Sequence, residues 1–187
     1  MKKPMGYDEA PSYGEFETLP AGGYKCIIVK AEELESSANG KAYLKLSLDV
    51  AEGKYKDIYK KKFETDTRAD KKWSCVWNVF EEGYELGTTN PKFKGLITAI
   101  EASNPNFKFD FIHVKDLENK KVGIVFREEE FIGEDKGTYS ASKPFYALSY
   151  DKVESTKVPA PKKVKQESNP FVANNSFTPV EDDDLPF

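Results

Sequence analysis

The sequence predicts a mainly β domain of five strands, with helical segments between the third and fourth strands and a polar C-terminal tail. Three observations lead to this prediction. Residues 41–50 alternate apolar and polar side chains, which is the period of a half-buried strand. Asn39-Gly40 is a strong hairpin signal, because both positions tolerate a positive φ. From residue 154 the chain is rich in Pro, Lys, Asn and Ser and loses apolar periodicity.

The first three strands follow from composition and alternation. Residues 24–34 are rich in β-branched and apolar side chains on both faces, which predicts a long central strand. The second strand, residues 41–50, directs Leu44, Leu46 and the other even-numbered residues to the core. Residues 54–63 follow a turn at Gly53 and predict a third strand that is unusually basic and aromatic.

Two helical segments and two strands complete the domain. Apolar side chains recur at three- and four-residue steps in residues 73–80 and again in residues 93–103, and Pro105 follows the second segment. Residues 121–127 and 143–153 predict the last strands, joined through a Gly133–Gly137 turn. Three strands, helix and two strands is the order of an OB fold, a five-stranded, partly open barrel.

The chain divides into four parts. We expect an N-terminal arm at 1–20, the OB-type domain at 21–154, a flexible linker at 155–180 and an acidic tip at 181–187. No apolar run reaches the roughly 20 residues that cross a bilayer, and the N-terminus lacks a secretory pattern. The sequence therefore predicts a cytoplasmic protein.

Several function classes are disfavoured. Cys26 and Cys75 are expected to be reduced core thiols, and with His113 as the single histidine no zinc-type cluster can be assembled. No metal and no cofactor are expected. A Gly-rich phosphate loop and a nucleophile motif are both missing from the sequence, so we expect no catalytic residues and no enzyme activity.

The net charge of -4 is unevenly distributed. The chain has 28 basic and 32 acidic side chains, and five of the acids but none of the bases lie in residues 166–187. The first 165 residues therefore hold 28 bases against 27 acids, a net charge of +1. A nearly neutral body with an acidic end is typical of proteins that work with nucleic acids.

The acidic tip predicts a protein-interaction motif. Asp182, Asp183 and Asp184 attract a basic surface, and Leu185, Pro186 and Phe187 offer an apolar anchor that ends in the terminal carboxylate. A plain solubilising tail is the alternative.

Rings and cations on the second and third strands predict single-strand binding, because bases stack on flat rings and phosphates attract cations. The candidate DNA-binding residues are Tyr43, Lys45, Tyr55, Tyr59, Lys60, Lys61, Lys62, Phe63, Arg68 and Trp73. One alternative is that the lysines form a solvated strand edge. The other is that the rings belong to the core, and the helical spacing of Trp73 and Trp77 favours this second alternative.

Two stretches resemble known proteins. The end Asp-Asp-Asp-Leu-Pro-Phe is similar to the acidic C-terminal tip of bacterial single-stranded DNA-binding proteins, which docks replication, recombination and repair proteins. Within residues 19–153, the stretches 19–24, 29–33, 44–50 and 121–125 resemble phage- and prophage-encoded single-strand-binding proteins. This resemblance implies an OB fold and a role in phage replication, within the cytoplasm of a bacterial host.

Two hypotheses follow. In the first, the chain coats and protects single-stranded DNA and recruits replication, recombination or repair proteins through its tip. In the second, the barrel binds protein rather than DNA, and the chain is a replication-associated adaptor. No membrane partner is expected, and the oligomeric state, a homo-oligomer included, stays open.

Overall fold

The computed structural model describes residues 2–5, 7, 17–85 and 87–164. Five strands, two α-helices and two short 3₁₀ turns make up this part of the chain. They are β1 (Gly22–Glu35), β2 (Ala42–Val50), α1 (Ile58–Thr65), β3 (Val76–Phe80), α2 (Pro91–Ser103), a 3₁₀ turn (Val114–Leu117), β4 (Lys121–Ile132), β5 (Thr138–Leu148) and a second 3₁₀ turn (Val153–Ser155). None of the described helices has the length and apolar character that a membrane span requires.

All five strands form one antiparallel sheet in the order β3-β2-β1-β4-β5. The long β1 lies in the centre, because it pairs with β4 over Gly22–Ile27 and with β2 from Cys26 onward. The two edge strands, β3 and β5, come into contact with each other, so the sheet curls. The predicted mainly β fold is confirmed, and the strand order is compatible with an OB-type barrel.

The core lies between the inner face of the sheet and α2. Leu44, Leu46 and Leu48 of β2 are buried, as their alternation predicts, and α2 adds Leu96 and Ile100. Deeply buried apolar side chains of this kind supply most of the free energy of folding.

Cys26 and Cys75 lie in the same core and are free thiols, as predicted. Burial raises the pKa of both, that of Cys75 to about 12, so both stay protonated at neutral pH.

The predicted third strand at 54–63 is wrong. Residues 54–57 form turns and residues 58–65 form α1, which begins after Asp57 with a φ of 58°. The buried Asp49 of β2 accepts the backbone N–H groups of Tyr59 and Lys60, two donors that the first turn of a helix leaves unpaired. A contact with β2, rather than the local sequence pattern, therefore stabilises the first turn of α1.

The predicted helix at 73–80 is wrong as well, since residues 76–80 form β3. Trp77 and Val79 face the core opposite Leu46 and Leu44, while Asn78 and Phe80 face outward. The predicted helix at 93–103 is confirmed as α2, where Asn90 accepts the N–H of Lys92 as the N-cap.

The last two strands differ from the prediction in extent. β4 continues beyond Arg127 through three glutamates to Ile132, and β5 begins at Thr138 instead of residue 143. Val153, predicted as the end of the last strand, instead packs over Gly23 and Gly123 from its 3₁₀ turn. A side chain at either glycine would occupy the space that Val153 fills.

Residues 162–164 of the predicted linker lie alongside β4. Lys162 donates its backbone N–H to the carbonyl of Glu128 and accepts the N–H of Glu130, at 2.9 and 2.8 Å. Glu130 also accepts the N–H of Val164 through its carboxylate at 3.1 Å. Residues 162–164 thus attach to the side of β4 that β1 leaves unpaired beyond Phe126.

Candidate functional site

The outer face of β2 and β3 carries a ring pair next to a lysine. Tyr43 lies directly opposite Phe80, with ring centroids 5.5 Å apart and planes at 51°. The next outward pair along the two strands is Lys45 and Asn78. These four residues, here called the ring face, present apolar rings, one cation and one amide on the same side of the sheet.

A second aromatic group lies beyond the opposite end of the β2–β3 pairing. The rings of Phe63 and Trp73 are 5.6 Å apart, and Lys71 Nζ lies 4.6 Å from the centre of the Phe63 ring. The indole Nε1 of Trp73 donates to the carbonyl of Leu48 at 2.8 Å, which fixes the ring against the end of β2. Both rings are half-buried, so each retains an accessible portion.

One carboxylate partly neutralises the ring face. Glu32 of β1 accepts a hydrogen bond from Lys30 Nζ at 2.6 Å and lies 4.0 Å from Lys45 Nζ. The hydrogen bond from Lys30 lowers the pKa of Glu32, so this side chain is charged at neutral pH. Exposed ion pairs of this kind contribute little to stability, so Lys45 remains available to a phosphate at small cost.

The predicted site residues on α1 divide between buried and exposed positions. Tyr59 is only 7% exposed, and burial next to Cys75 raises the pKa of its hydroxyl, so it acts as a core residue. Lys62 lines a cleft of about 410 Å³ between α1, residues 18–21 and the β4–β5 hairpin. Burial there lowers the pKa of Lys62. Lys60 and Lys61 are exposed on the helix surface.

Tyr55 and Arg68 have local partners. Tyr55 packs edge-on against Tyr24 with ring centroids 5.9 Å apart, and Lys54 lies over its ring. The guanidinium of Arg68 is held by Asp66 through its Nε and a terminal nitrogen, the latter at 2.7 Å. This pairing lowers the pKa of Asp66 to about 2, and Asp66 competes with a phosphate for Arg68.

The structure thus separates the ten predicted DNA-binding residues. Tyr43 and Lys45 lie on the ring face, Phe63 and Trp73 form the second aromatic group, and the remaining six lie on or around α1 with the roles given above. Phe80 was missed, because its spacing with Trp73 and Trp77 assigned it to a helix core. The only signal for Phe80 is its position opposite Tyr43 on the neighbouring strand, and that pairing exists only in the folded structure. The predicted interaction tip, residues 182–187, lies outside the described residues.

Residues 5–81 match a protein family described as "Protein of unknown function (DUF669)". The matched segment includes β1, β2, α1 and β3, and therefore both strands of the ring face. The chain is similar to this family over less than half of its length. No curated protein matches the chain.

Proposed function

We propose that this protein binds single-stranded DNA on the outer face of β2 and β3. The observation that carries the proposal is the ring pair of Tyr43 and Phe80 beside Lys45, on the strand face that OB-type barrels use for oligonucleotides. Stacking of a base on such a ring contributes about 1–3 kcal/mol and tolerates any base, which suits a protein that coats DNA without regard to sequence.

The proposed strand runs along β2. The part of β2 that pairs with β3 runs from Tyr43 to Ser47, and its length is roughly 14 Å in an extended strand. Bases stack on the ring pair at one end and on the Phe63–Trp73 group at the other. Lys45 and Lys71 contact the phosphates between and beside them. This arrangement supplies both requirements of a non-specific single-strand site, rings for bases and cations for phosphates.

We propose further that residues 182–187 recruit replication, recombination or repair proteins. The support is the sequence: three aspartates, two apolar residues and a C-terminal Phe187 that joins a ring to the terminal carboxylate. Residues 165–181 separate this tip from the described part of the chain. A phage source for the chain belongs to the same proposal.

Fluorescence anisotropy tests the DNA-binding function. We expect a labelled oligo-dT strand to bind at low salt more tightly than a duplex of equal length. Its affinity should fall as salt rises, with a slope of about -0.7 per phosphate contact on a log–log plot. Equal binding of the two nucleic acids, or none, would reject the proposal.

One observation favours the second candidate function, an adaptor whose barrel binds protein. Glu32 beside Lys45 partly cancels the positive charge that a phosphate needs, while aromatic side chains such as Tyr43 and Phe80 are enriched in protein interfaces. Oligo-dT binding separates the two functions. Under the adaptor hypothesis the wild-type chain shows no preference for oligo-dT, whereas under the DNA hypothesis it binds oligo-dT and Tyr43→Ala weakens that binding.

A further inference from the structure

A second basic surface lies on the β4–β5 hairpin and the N-terminus of α2. Its centre is Phe145 of β5, whose ring centroid is 3.8 Å from the guanidinium carbon of Arg127 and 4.4 Å from Lys92 Nζ. Lys92 belongs to the first turn of α2 and Arg127 to β4. The first turn of α2 and the neighbouring strand β4 therefore each bring one cation to the Phe145 ring of β5.

Two more cations join this group. Lys143 lies opposite Arg127 in the β4–β5 ladder, with its Nζ 5.4 Å from the centre of the Phe131 ring. The backbone of Lys162 pairs with that of Glu129 along the other edge of β4. We call Lys92, Arg127, Lys143, Lys162 and Phe145 the hairpin cluster. Its single carboxylate is Glu129, which accepts a hydrogen bond from Arg127 and whose pKa is lowered by that bond and by Lys162 and Lys143.

The charges of the hairpin cluster do not balance within the described structure. Four cations surround one carboxylate, and Arg127 stands directly opposite Lys143. Like charges in opposed positions of a sheet destabilise it. The Nε of Arg127 is buried and has no hydrogen-bond partner among the described residues. An anion at this surface would offset the excess positive charge.

We propose that the hairpin cluster is a second phosphate-binding site, which holds the backbone of the same DNA strand after it leaves the ring face. The inference rests on the proposed function. Phe145 serves here as a platform for cations, since Arg127 and Lys92 lie against its ring, and the ligand is therefore the phosphate and not the base. The cluster lengthens the DNA path from the β2–β3 face to the β4–β5 hairpin.

A phosphate at the hairpin cluster also affects the segment 162–164. Lys162 belongs to the chain that leads to the acidic tip, and its backbone is already bonded to β4. A phosphate at Lys162 therefore stabilises the attachment of this segment when DNA is bound.

The test compares two charge-matched variants of the full chain. The first is Lys92→Gln with Lys162→Gln. The control is Lys94→Gln with Lys163→Gln, because Lys94 lies about 200° around α2 from Lys92 and Lys163 faces opposite to Lys162 on an extended segment. All four side chains are exposed, so both variants should fold alike. Binding is measured with oligo-dT of about 4 and about 16 nucleotides, the range of OB-fold site sizes.

We expect the first variant to bind the longer strand several-fold more weakly and with a salt slope smaller by about 1.4, since two phosphate contacts are lost. The shorter strand and the control variant should be unaffected. If the first variant bound the longer strand like the control, the phosphate site would be refuted while single-strand binding stood. If the wild-type chain bound neither strand, the proposed function itself would fail.

A third outcome identifies the chain's own acidic end as the occupant. The Asp182→Asn, Asp183→Asn and Asp184→Asn substitutions are introduced together in the full chain, with and without the Lys92/Lys162 change. The phosphate site predicts the same loss of affinity in both tip backgrounds. A loss that vanished with the neutral tip would overturn it in favour of the tip.

Discussion

The buried carboxylate of Asp49 on β2 accepts the backbone N–H of Tyr59 on α1 at 3.1 Å. The same carboxylate accepts the N–H of Lys60 at 3.0 Å and that of its neighbour Val50 at 2.8 Å. The residue at the N-cap position of α1, Asp57, makes no side-chain cap bond. A strand residue therefore caps this helix and fixes the basic segment that follows β2.

The first prediction concerns this cap. Asp49→Ala should lower the free energy of unfolding by about 1–3 kcal/mol, because it leaves backbone donors unpaired in a buried place. Urea denaturation followed by tryptophan fluorescence measures the change. Asp70→Ala, an exposed carboxylate in the loop after α1, is the control and should cost little. Equal stability of the two variants would show that α1 does not depend on Asp49.

The misassigned α1 shows where sequence patterns fail. Tyr55, Tyr59 and Phe63 are four residues apart, and this spacing fits one face of a helix as well as one face of a strand. The sequence contains no local signal that selects between them. Asp49 selects the helix, from a strand about ten residues away, and that contact exists only after β2 has joined the sheet.

The opposite error at β3 has a related cause. Val76 and Phe80 are apolar but face outward, so apolar residues occupy both faces of a short strand and imitate a helical period. By contrast, β2 has a strictly polar outer face apart from Tyr43, and its prediction was correct to within one residue. The extent of β2 was thus predictable because one of its faces is polar. The candidate site was predicted at Tyr43, Lys45, Phe63 and Trp73 but not at Phe80.

The second prediction concerns the close approach of Val153 to β1. A methyl group added at Gly23 would lie 2.0 Å from the carbonyl oxygen of Val153, so the 3₁₀ turn must move. Gly23→Ala should destabilise the protein by about 1–3 kcal/mol, as overpacking does.

The matched control is Gly95→Ala in α2, where an added methyl group meets nothing within 4 Å. This substitution should stabilise the protein by about 0.5–1 kcal/mol, because alanine loses less backbone entropy in a helix. Thermal unfolding of both variants measures the direction in which each substitution changes stability. A Gly23→Ala variant as stable as the wild type would contradict the packing described for Val153.

The third prediction concerns the ion pair of Asp110 and His113, whose side chains are 2.6 Å apart. Asp110 holds the pKa of His113 above its ordinary value of about 6.5, and backbone N–H groups with His113 hold that of Asp110 well below its usual range. The His113 contribution to stability is complete below about pH 6.5 and is lost as the pH rises through the higher folded pKa.

Because His113 is the single histidine, one imidazole resonance in a proton NMR titration reports its pKa directly. In Asp110→Asn the amide oxygen can still accept the backbone N–H groups of Ile112 and His113, but the charge is gone. The pKa of His113 should then fall toward about 6.5. An unchanged pKa would mean that the ion pair does not form in solution.

The last prediction separates rings from charges on the proposed DNA-binding face. Tyr43→Ala removes one partner of the ring pair with Phe80 and should weaken oligo-dT binding by about 1–3 kcal/mol with little change in salt slope, because stacking releases no counterions. Lys45→Gln should instead reduce the salt slope by about 0.7, one phosphate contact. Tyr43→Phe keeps the ring and should bind like the wild type. If Tyr43→Ala altered only the slope, or Tyr43→Phe bound as weakly as Tyr43→Ala, the bases would not stack on this ring.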